Sequence, residues 1–185
     1  PMSEKYHDFR GYAGRISSGV FRTGEEVKIL PSGFTSKIKT IESLNEKLNY
    51  AFAPQSVVIT IDDDYDISRG DMIVKKDNGP EMSQDITMNI CWLSEKPMVP
   101  RGRYTLRHTS NECKCLVQSV DYKIDVNTLE RNLEDKDIKL NDIARITVRT
   151  TKLIFIDSYR KNRQTGSVIL IDEATNNTVC AGMIV

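Results

Sequence analysis

Residues 25–43 read EEVKILPSGFTSKIKTIES, and this stretch decides the fold. Val27 and Ile29 alternate with Lys28 and Leu30, the period of a strand with one buried face. Pro31-Ser32-Gly33 supplies turn chemistry. From Thr35 the period of two resumes, so the segment predicts a β-hairpin. Ile38 and Ile41 are out of phase by one position, which predicts a β-bulge between them.

The same pattern extends in both directions. FRGYAGRISSG, residues 9–19, is apolar and small, with Gly11, Gly14 and Gly19, and leads through Val20-Phe21 to a polar turn at Arg22-Thr23-Gly24. SVVITI, residues 56–61, is a β-branched run suited to a strand buried on both faces. Met72-Ile73-Val74 closes the segment. KKDNGPEMSQ, residues 75–84, is polar, carries Gly79-Pro80 and reads as a linker. Beyond it, DITMNICWL alternates Ile86, Met88, Ile90 and Trp92 against Thr87, Asn89 and Cys91. RYTLRHT, CKCLVQSVDYKI, ARITVRTT and LIFIDSY read as further strands. SVILIDEATNNTVCAGMIV reads as a hairpin turning near Asn176-Asn177. Residues 128–142 alone could hold a helical turn. Many short strands with Gly, Pro and Asn punctuation predict an all-β chain of antiparallel barrels, divided here as residues 1–79 and 80–185.

Composition narrows the function classes. The 185 residues carry 26 Lys plus Arg and 26 Asp plus Glu, a formal net charge of zero. Nucleic-acid binding needs a basic excess on at least one face, so no nucleic-acid partner is expected. Arg145, Arg149, Lys152, Arg160, Lys161 and Arg163 crowd late in the chain and read as a solvated face. No apolar run is long enough to span a bilayer, and the chain reads as cytoplasmic. Cys113 and Cys115 lie two apart and share a face of their strand. With Cys91, Cys180 and only His7 and His108 besides, they read as thiols in a reducing compartment rather than a metal site. The sequon Asn176-Asn177-Thr178 has meaning only in a secreted protein.

The search for catalytic motifs is negative. None of the ten glycines is followed by lysine, so no phosphate loop is present. There is no G-x-S-x-G elbow and no H-E-x-x-H. Asp62, Asp64 and Asp66 have the spacing of the first three ligands of a calcium loop. Ile67 and Ile73 then stand where such a loop needs Gly and Glu, and the run reads as an acidic turn. No catalytic, cofactor-binding or metal-ligating residue is expected in the chain, and His108 reads as a surface or satisfied histidine. In DISRGDMIV, residues 66–74, Ile67 is expected to anchor inward. Gly70 is expected to make a bend that a side chain would obstruct, and Asp71 to accept from nearby backbone N–H groups. Arg69 is expected to pair with the Asp62–Asp66 run.

The strings FRGYAGRISSG, RTGEEVKILPSGFTSKIKTI and SVVITIDDDYDISRGDMIV together resemble the second domain of translation-factor GTPases of the elongation factor Tu type. Arg10-Gly11-Tyr12-Ala13-Gly14 and Leu30-Pro31-Ser32-Gly33 resemble one branch, the GTPase subunit of sulfate adenylyltransferase. YKIDVNTLE (122–130), LNDIARI (140–146) and SYRKNRQTGSVILIDEATNNTVCAGMI (158–184) resemble that branch's third domain. The resemblance implies two consecutive barrels of the domain 2 and domain 3 type, in the C-terminal part of a longer subunit. It implies that GTP and Mg are bound by an N-terminal domain outside this chain. The implied partners are that nucleotide domain and a separate catalytic subunit that makes adenosine 5′-phosphosulfate and pyrophosphate from ATP and sulfate. None of the family's nucleotide-contacting motifs maps onto these residues. A translation-factor fragment binding tRNA and a free-standing β-barrel binding module are the alternatives. The Arg22-Thr23-Gly24 turn and the stretch from Ser158 to Thr165 are the candidate docking loops, each equally readable as an ordinary hairpin connection.

Overall fold

A computed structural model of the chain describes residues 9–44 and 46–185; His7 lies outside them. The chain divides into two compact units, Pro1–Gly79 and Pro80–Val185. Among the described residues there is no helix, and both units are antiparallel barrels. The helical turn expected within 128–142 is absent: those residues form turns around one two-residue strand.

The first unit contains β1 (Tyr12–Arg15), β2 (Val20–Arg22), β3 (Glu26–Leu30), β4 (Thr35–Ser43), β5 (Glu46–Leu48), β6 (Tyr50–Phe52), β7 (Ser56–Ile61) and β8 (Met72–Lys75). The main sheet runs β1-β7-β4-β3-β8 with β5 on the side of β4, and β2 pairs with β6 as a separate ribbon. The hairpin read from residues 25–43 is β3–β4. The slip between Ile38 and Ile41 is a register shift in the β4–β7 ladder, between Ile38 and Thr40. It turns both isoleucines inward, where Ile38 and Ile41 join Val27, Ile29 and Ile59 in the core. Without the bulge a one-residue slip would aim one of them at water.

The DISRGDMIV stretch leads into β8. Ile67 packs against this core. Ser68 and Asp71 close a tight turn: the Asp71 N–H donates to the Ser68 carbonyl at 3.0 Å, and the Ser68 N–H donates to Asp71 Oδ2 at 2.8 Å. Gly70 has φ +100°, a region closed to residues with a Cβ. Arg69 is not the partner of the acidic run. Asp64 and Asp66 instead accept from the guanidinium of Arg10, on the segment entering β1. Gly70→Val is therefore expected to destabilise the first barrel by about 2 kcal/mol, read as a lower thermal midpoint of this unit. An unchanged midpoint would contradict this role for the tripeptide.

The second unit contains β9 (Glu81–Trp92), β10 (Arg103–His108), β11 (Asn111–Ile124), β12 (Arg131–Asn132), β13 (Ile143–Ile156), β14 (Ser167–Ile171) and β15 (Thr178–Ile184). The order β10-β14-β15-β9-β13-β11, with β11 also paired to β10, closes a ring, and β12 hangs on β11. Two expectations need correction. Residues 81–84 belong to β9 rather than to a linker, because they continue the ladder with Ile154–Ile156 of β13. The two strands expected over 144–159 are one strand, β13, broken only by a register shift between Arg149 and Ile154. Ile86, Met88, Ile90 and Trp92 point inward as their period required, and meet Leu106, Ile146, Ile154 and Leu170. Gly182 fits among them only for want of a side chain: a Cβ there would lie 2.7 Å from Met88 Sδ and 2.9 Å from Val168 Cγ2.

Candidate functional site

The two loops singled out from sequence differ in what holds them. At Arg22-Thr23-Gly24 the polar backbone is spent on the barrel itself. The Thr23 N–H donates to the Asn49 carbonyl (3.0 Å) and the Gly24 N–H to the Ile38 carbonyl (2.7 Å), while Glu25 Oε2 accepts the Arg22 N–H (3.0 Å). This is a hairpin connection, with Gly24 at φ +82°.

The Ser158–Thr165 stretch is a compact turn at one end of the second barrel. The Tyr159 N–H donates to the Ile184 carbonyl at 2.9 Å, and the Gly166 N–H to the Asn162 carbonyl at 2.8 Å. Asp157 Oδ2 accepts from Thr165 Oγ1 at 2.7 Å, and Asp157 Oδ1 pairs with Lys161 at 2.6 Å. Outward it presents Arg160, Lys161 and Arg163, the last 5.9 Å above the Tyr159 ring.

His108 locks this turn from beneath. Its period places it in phase with Tyr104 and Leu106, and it is 1% exposed rather than at the surface. Its Nε2 lies 2.7 Å from the Thr165 carbonyl oxygen, so Nε2–H donates. Burial pushes the imidazole's pKa below its ordinary 6.5, against smaller upward pulls from the Thr165 carbonyl and Asp157. With the folded value below the unfolded one, the unfolded chain binds the proton first. The stability of the neutral, buried form is whole above about pH 6.5 and is lost as the pH falls toward the folded value. The melting midpoint should hold from pH 8 to about 7 and drop below. His108→Gln, which keeps a donor for Thr165 and cannot titrate, should flatten that drop.

Three of the four cysteines pack in the core of the second barrel. Cys113 and Cys115 both face the core, across from Leu106 and Tyr104 of β10. All four cysteines are free thiols. Burial raises the Cys115 thiol to about 12 and pushes the Cys113 and Cys180 thiols up as well, so these three are poor nucleophiles. Among the described residues no cluster of three His, Cys, Asp or Glu could hold a metal ion. Of the late basic residues, Arg145 pairs with Asp121, Arg149 with Asp85 and Lys161 with Asp157.

One feature was missed in the sequence. On the outer face of the β14-β15-β9-β13 sheet, Ile169, Ala181, Cys91 and Ile143 stand in register across four strands. Ser167, Met183, Asn89 and Arg145 form the adjacent row. Arg145 is the single charge among these eight outward positions. The outer wall of a water-facing antiparallel barrel is ordinarily polar. Asn89 Oδ1 is buried beneath this face and accepts no hydrogen bond among the described residues, a condition that costs about 1–3 kcal/mol. The signal was in the strings SVILI and CAGMI, where both phases of the alternation are free of charge.

Comparison with known proteins accords with this architecture. Residues 85–185 match the family model described as GTP-eEF1A C-terminal domain-like. Over 96% of its length the chain is 43% identical to sulfate adenylyltransferase subunit 1 of Bacteroides fragilis, covering 37% of that protein. Over its whole length it is 40% identical to the bifunctional enzyme CysN/CysC of Mycobacterium tuberculosis, covering 30% of it. The chain thus spans about a third of the curated relatives it matches. Among solved structures, Sup35 complexed with GDP aligns over 95% of this chain and 45% of its own, with a TM-score of 0.84 and 16% identity. The apo form of translation elongation factor SelB from Methanococcus maripaludis aligns over 93% of this chain and 38% of its own, with a TM-score of 0.73 and 20% identity. At such identities these two speak for the fold alone: consecutive barrels of the translation-factor type. The chain belongs to the GTP-eEF1A C-terminal domain-like family, and over nearly its whole length it is a homologue of sulfate adenylyltransferase subunit 1.

Proposed function

We propose that the chain forms the two non-catalytic barrels of the GTP-dependent regulatory subunit of sulfate adenylyltransferase. In this reading it couples a GTPase domain to the catalytic subunit that converts ATP and sulfate to adenosine 5′-phosphosulfate and pyrophosphate. GTP and Mg are held outside these 185 residues, in a nucleotide domain of the same subunit. The chain itself binds no cofactor and acts in the cytoplasm. Support comes from relatives 40–43% identical over nearly the whole chain. It comes also from the kind of surface the second barrel displays.

The observation that carries the reading is the face of Ile169, Ala181, Cys91, Ile143 and Met183, on which Arg145 is the single charge. Permanent interfaces are more apolar than the rest of a protein surface. Packing of the nucleotide domain against this face would remove the apolar stripe from water. The closed ladder beneath the face is stiff, so a shift at the nucleotide would be transmitted as a rigid-body movement of the barrel. Titration of the separately produced nucleotide domain with this chain tests the assignment. Binding is expected, with Ala181→Arg weakening it about 100-fold and leaving the melting midpoint in place. Equal binding by the variant would remove this face from the account. A tRNA-binding reading finds no support in a chain of zero net charge.

A further inference from the structure

Residues 125–137 form the longest fully exposed run of the second barrel, and the run is not uniformly polar. Val126 is 59%, Leu129 76% and Leu133 65% exposed. Three large apolar side chains so exposed on one segment point to a contact with another molecule. The loop is held in shape. Ile138 is wholly buried and its carbonyl accepts the Met98 N–H at 2.9 Å. Lys123 bridges Asp135 and Asp142 at 2.9 and 2.8 Å. Arg131, on β12, lies 4.7 Å above the Tyr122 ring.

Leu129 makes the strongest case. It has φ +61°, a left-handed conformation that glycine or asparagine adopts far more readily than leucine. The folded chain gains little from a side chain that is so exposed. A leucine kept there at a conformational cost, on a segment that also exposes Val126 and Leu133, fits a contact outside the chain.

Charge limits what that is. The run holds five carboxylates and two cations, a net charge of −3. Glu130, Glu134 and Asp137 form no ion pair among the described residues. A second copy docking two-fold would set these carboxylates against themselves, and a nucleic acid would be repelled. The complementary surface is that of a different protein: an apolar recess rimmed by Lys and Arg.

We propose that this loop, with Leu129 and Leu133 at its centre, is the docking knob for the catalytic subunit of sulfate adenylyltransferase, an assignment that rests on the function proposed above. The nucleotide domain and the catalytic subunit then hold separate parts of one barrel.

Calorimetric titration of the purified catalytic subunit with the chain tests this. The wild-type chain binds, and added salt weakens the complex. Leu129→Asn and Leu133→Ser each weaken binding about ten-fold or more, with melting midpoints at or above that of the wild type for Leu129→Asn. Leu44→Asn, at a left-handed leucine of the first barrel that is 95% exposed, leaves the affinity unchanged. If the wild type binds and both loop variants bind equally well, the knob is elsewhere and this inference is overturned while the proposed function stands. If the wild type does not bind at all, the proposed partner is wrong and both fall.

Discussion

Gly166→Ala is expected to unfold the end of the second barrel, with a loss of about 3 kcal/mol or more. A Cβ at this position would lie 2.4 Å from Tyr159 Cα, 2.5 Å from Tyr159 N and 2.7 Å from the Asn162 carbonyl oxygen. All three are backbone atoms, so no rotamer change relieves the clash. The same backbone carries the bonds that shape the Ser158–Thr165 turn: Gly166 N–H to Asn162, Ile184 N–H to the Gly166 carbonyl at 2.8 Å, and Tyr159 N–H to the Ile184 carbonyl. Displacing Tyr159 therefore also loosens the C-terminal strand and the Thr165 carbonyl that His108 holds. For a unit of this size the midpoint should fall by about 10 °C or more. A fall of only a degree or two would mean that the turn is free to move and does not form part of the barrel.

Trp92→Ala should cost about 3–5 kcal/mol. Trp92 is 1% exposed, at the end of β9, with its ring edge-on to Tyr104 at 5.8 Å between centroids. Its indole Nε1–H donates to the Lys96 carbonyl at 2.8 Å. Its backbone also ties two segments together: the Trp92 N–H donates to the Asp142 carbonyl and the Asn141 N–H to the Trp92 carbonyl. Truncation leaves a large cavity, an orphaned carbonyl and a loosened junction with the segment leading into β13. Trp92→Phe keeps most of the volume and the aromatic pair while losing the hydrogen bond, so it should cost about 1–2 kcal/mol. Equilibrium denaturation of both variants separates packing from hydrogen bonding. Equal losses would show that the hydrogen bond, and not the filled volume, holds this end of the barrel.

Much of the fold was legible because antiparallel strands with one wet face write their register into the sequence. Ile86 to Trp92 alternated and were buried as read, and the out-of-phase Ile38 and Ile41 gave away the bulge. Tyr104, Leu106 and His108 share a phase, which was enough to place His108 inside, though a polar residue at a strand end was left open between surface and core. Glu81 to Gln84 looked like a linker because polar composition dominates there. What makes them strand is the ladder with Ile154–Ile156, a pairing between residues far apart in sequence. The same reason hid Arg10 as the partner of Asp64 and Asp66 while Arg69 stood closer along the chain.

The candidate surfaces were less legible than the core. An outer face with a single charge reads in sequence like a strand buried on both sides, and only the register of four strands shows that Ile169, Ala181, Cys91 and Ile143 meet on the outside. The exposed leucines of residues 129–133 fell in the one stretch read as able to hold a helical turn. Asx-type turns won instead: Asp125 Oδ1 accepts the Asn127 and Thr128 N–H groups, and Asn132 Oδ1 accepts those of Glu134 and Asp135. Those backbone bonds lower the Asp125 pKa below the usual carboxylate range.

We propose that these barrels connect a GTPase to a catalytic subunit without doing chemistry themselves. Mixing the chain with the purified catalytic subunit, and following complex formation, GTP hydrolysis and adenosine 5′-phosphosulfate synthesis in the same sample, tests it most directly. A complex should form, with no GTP hydrolysis and no stimulation of synthesis by GTP. Hydrolysis of GTP by the chain alone, or GTP-stimulated synthesis without a nucleotide domain, would contradict it.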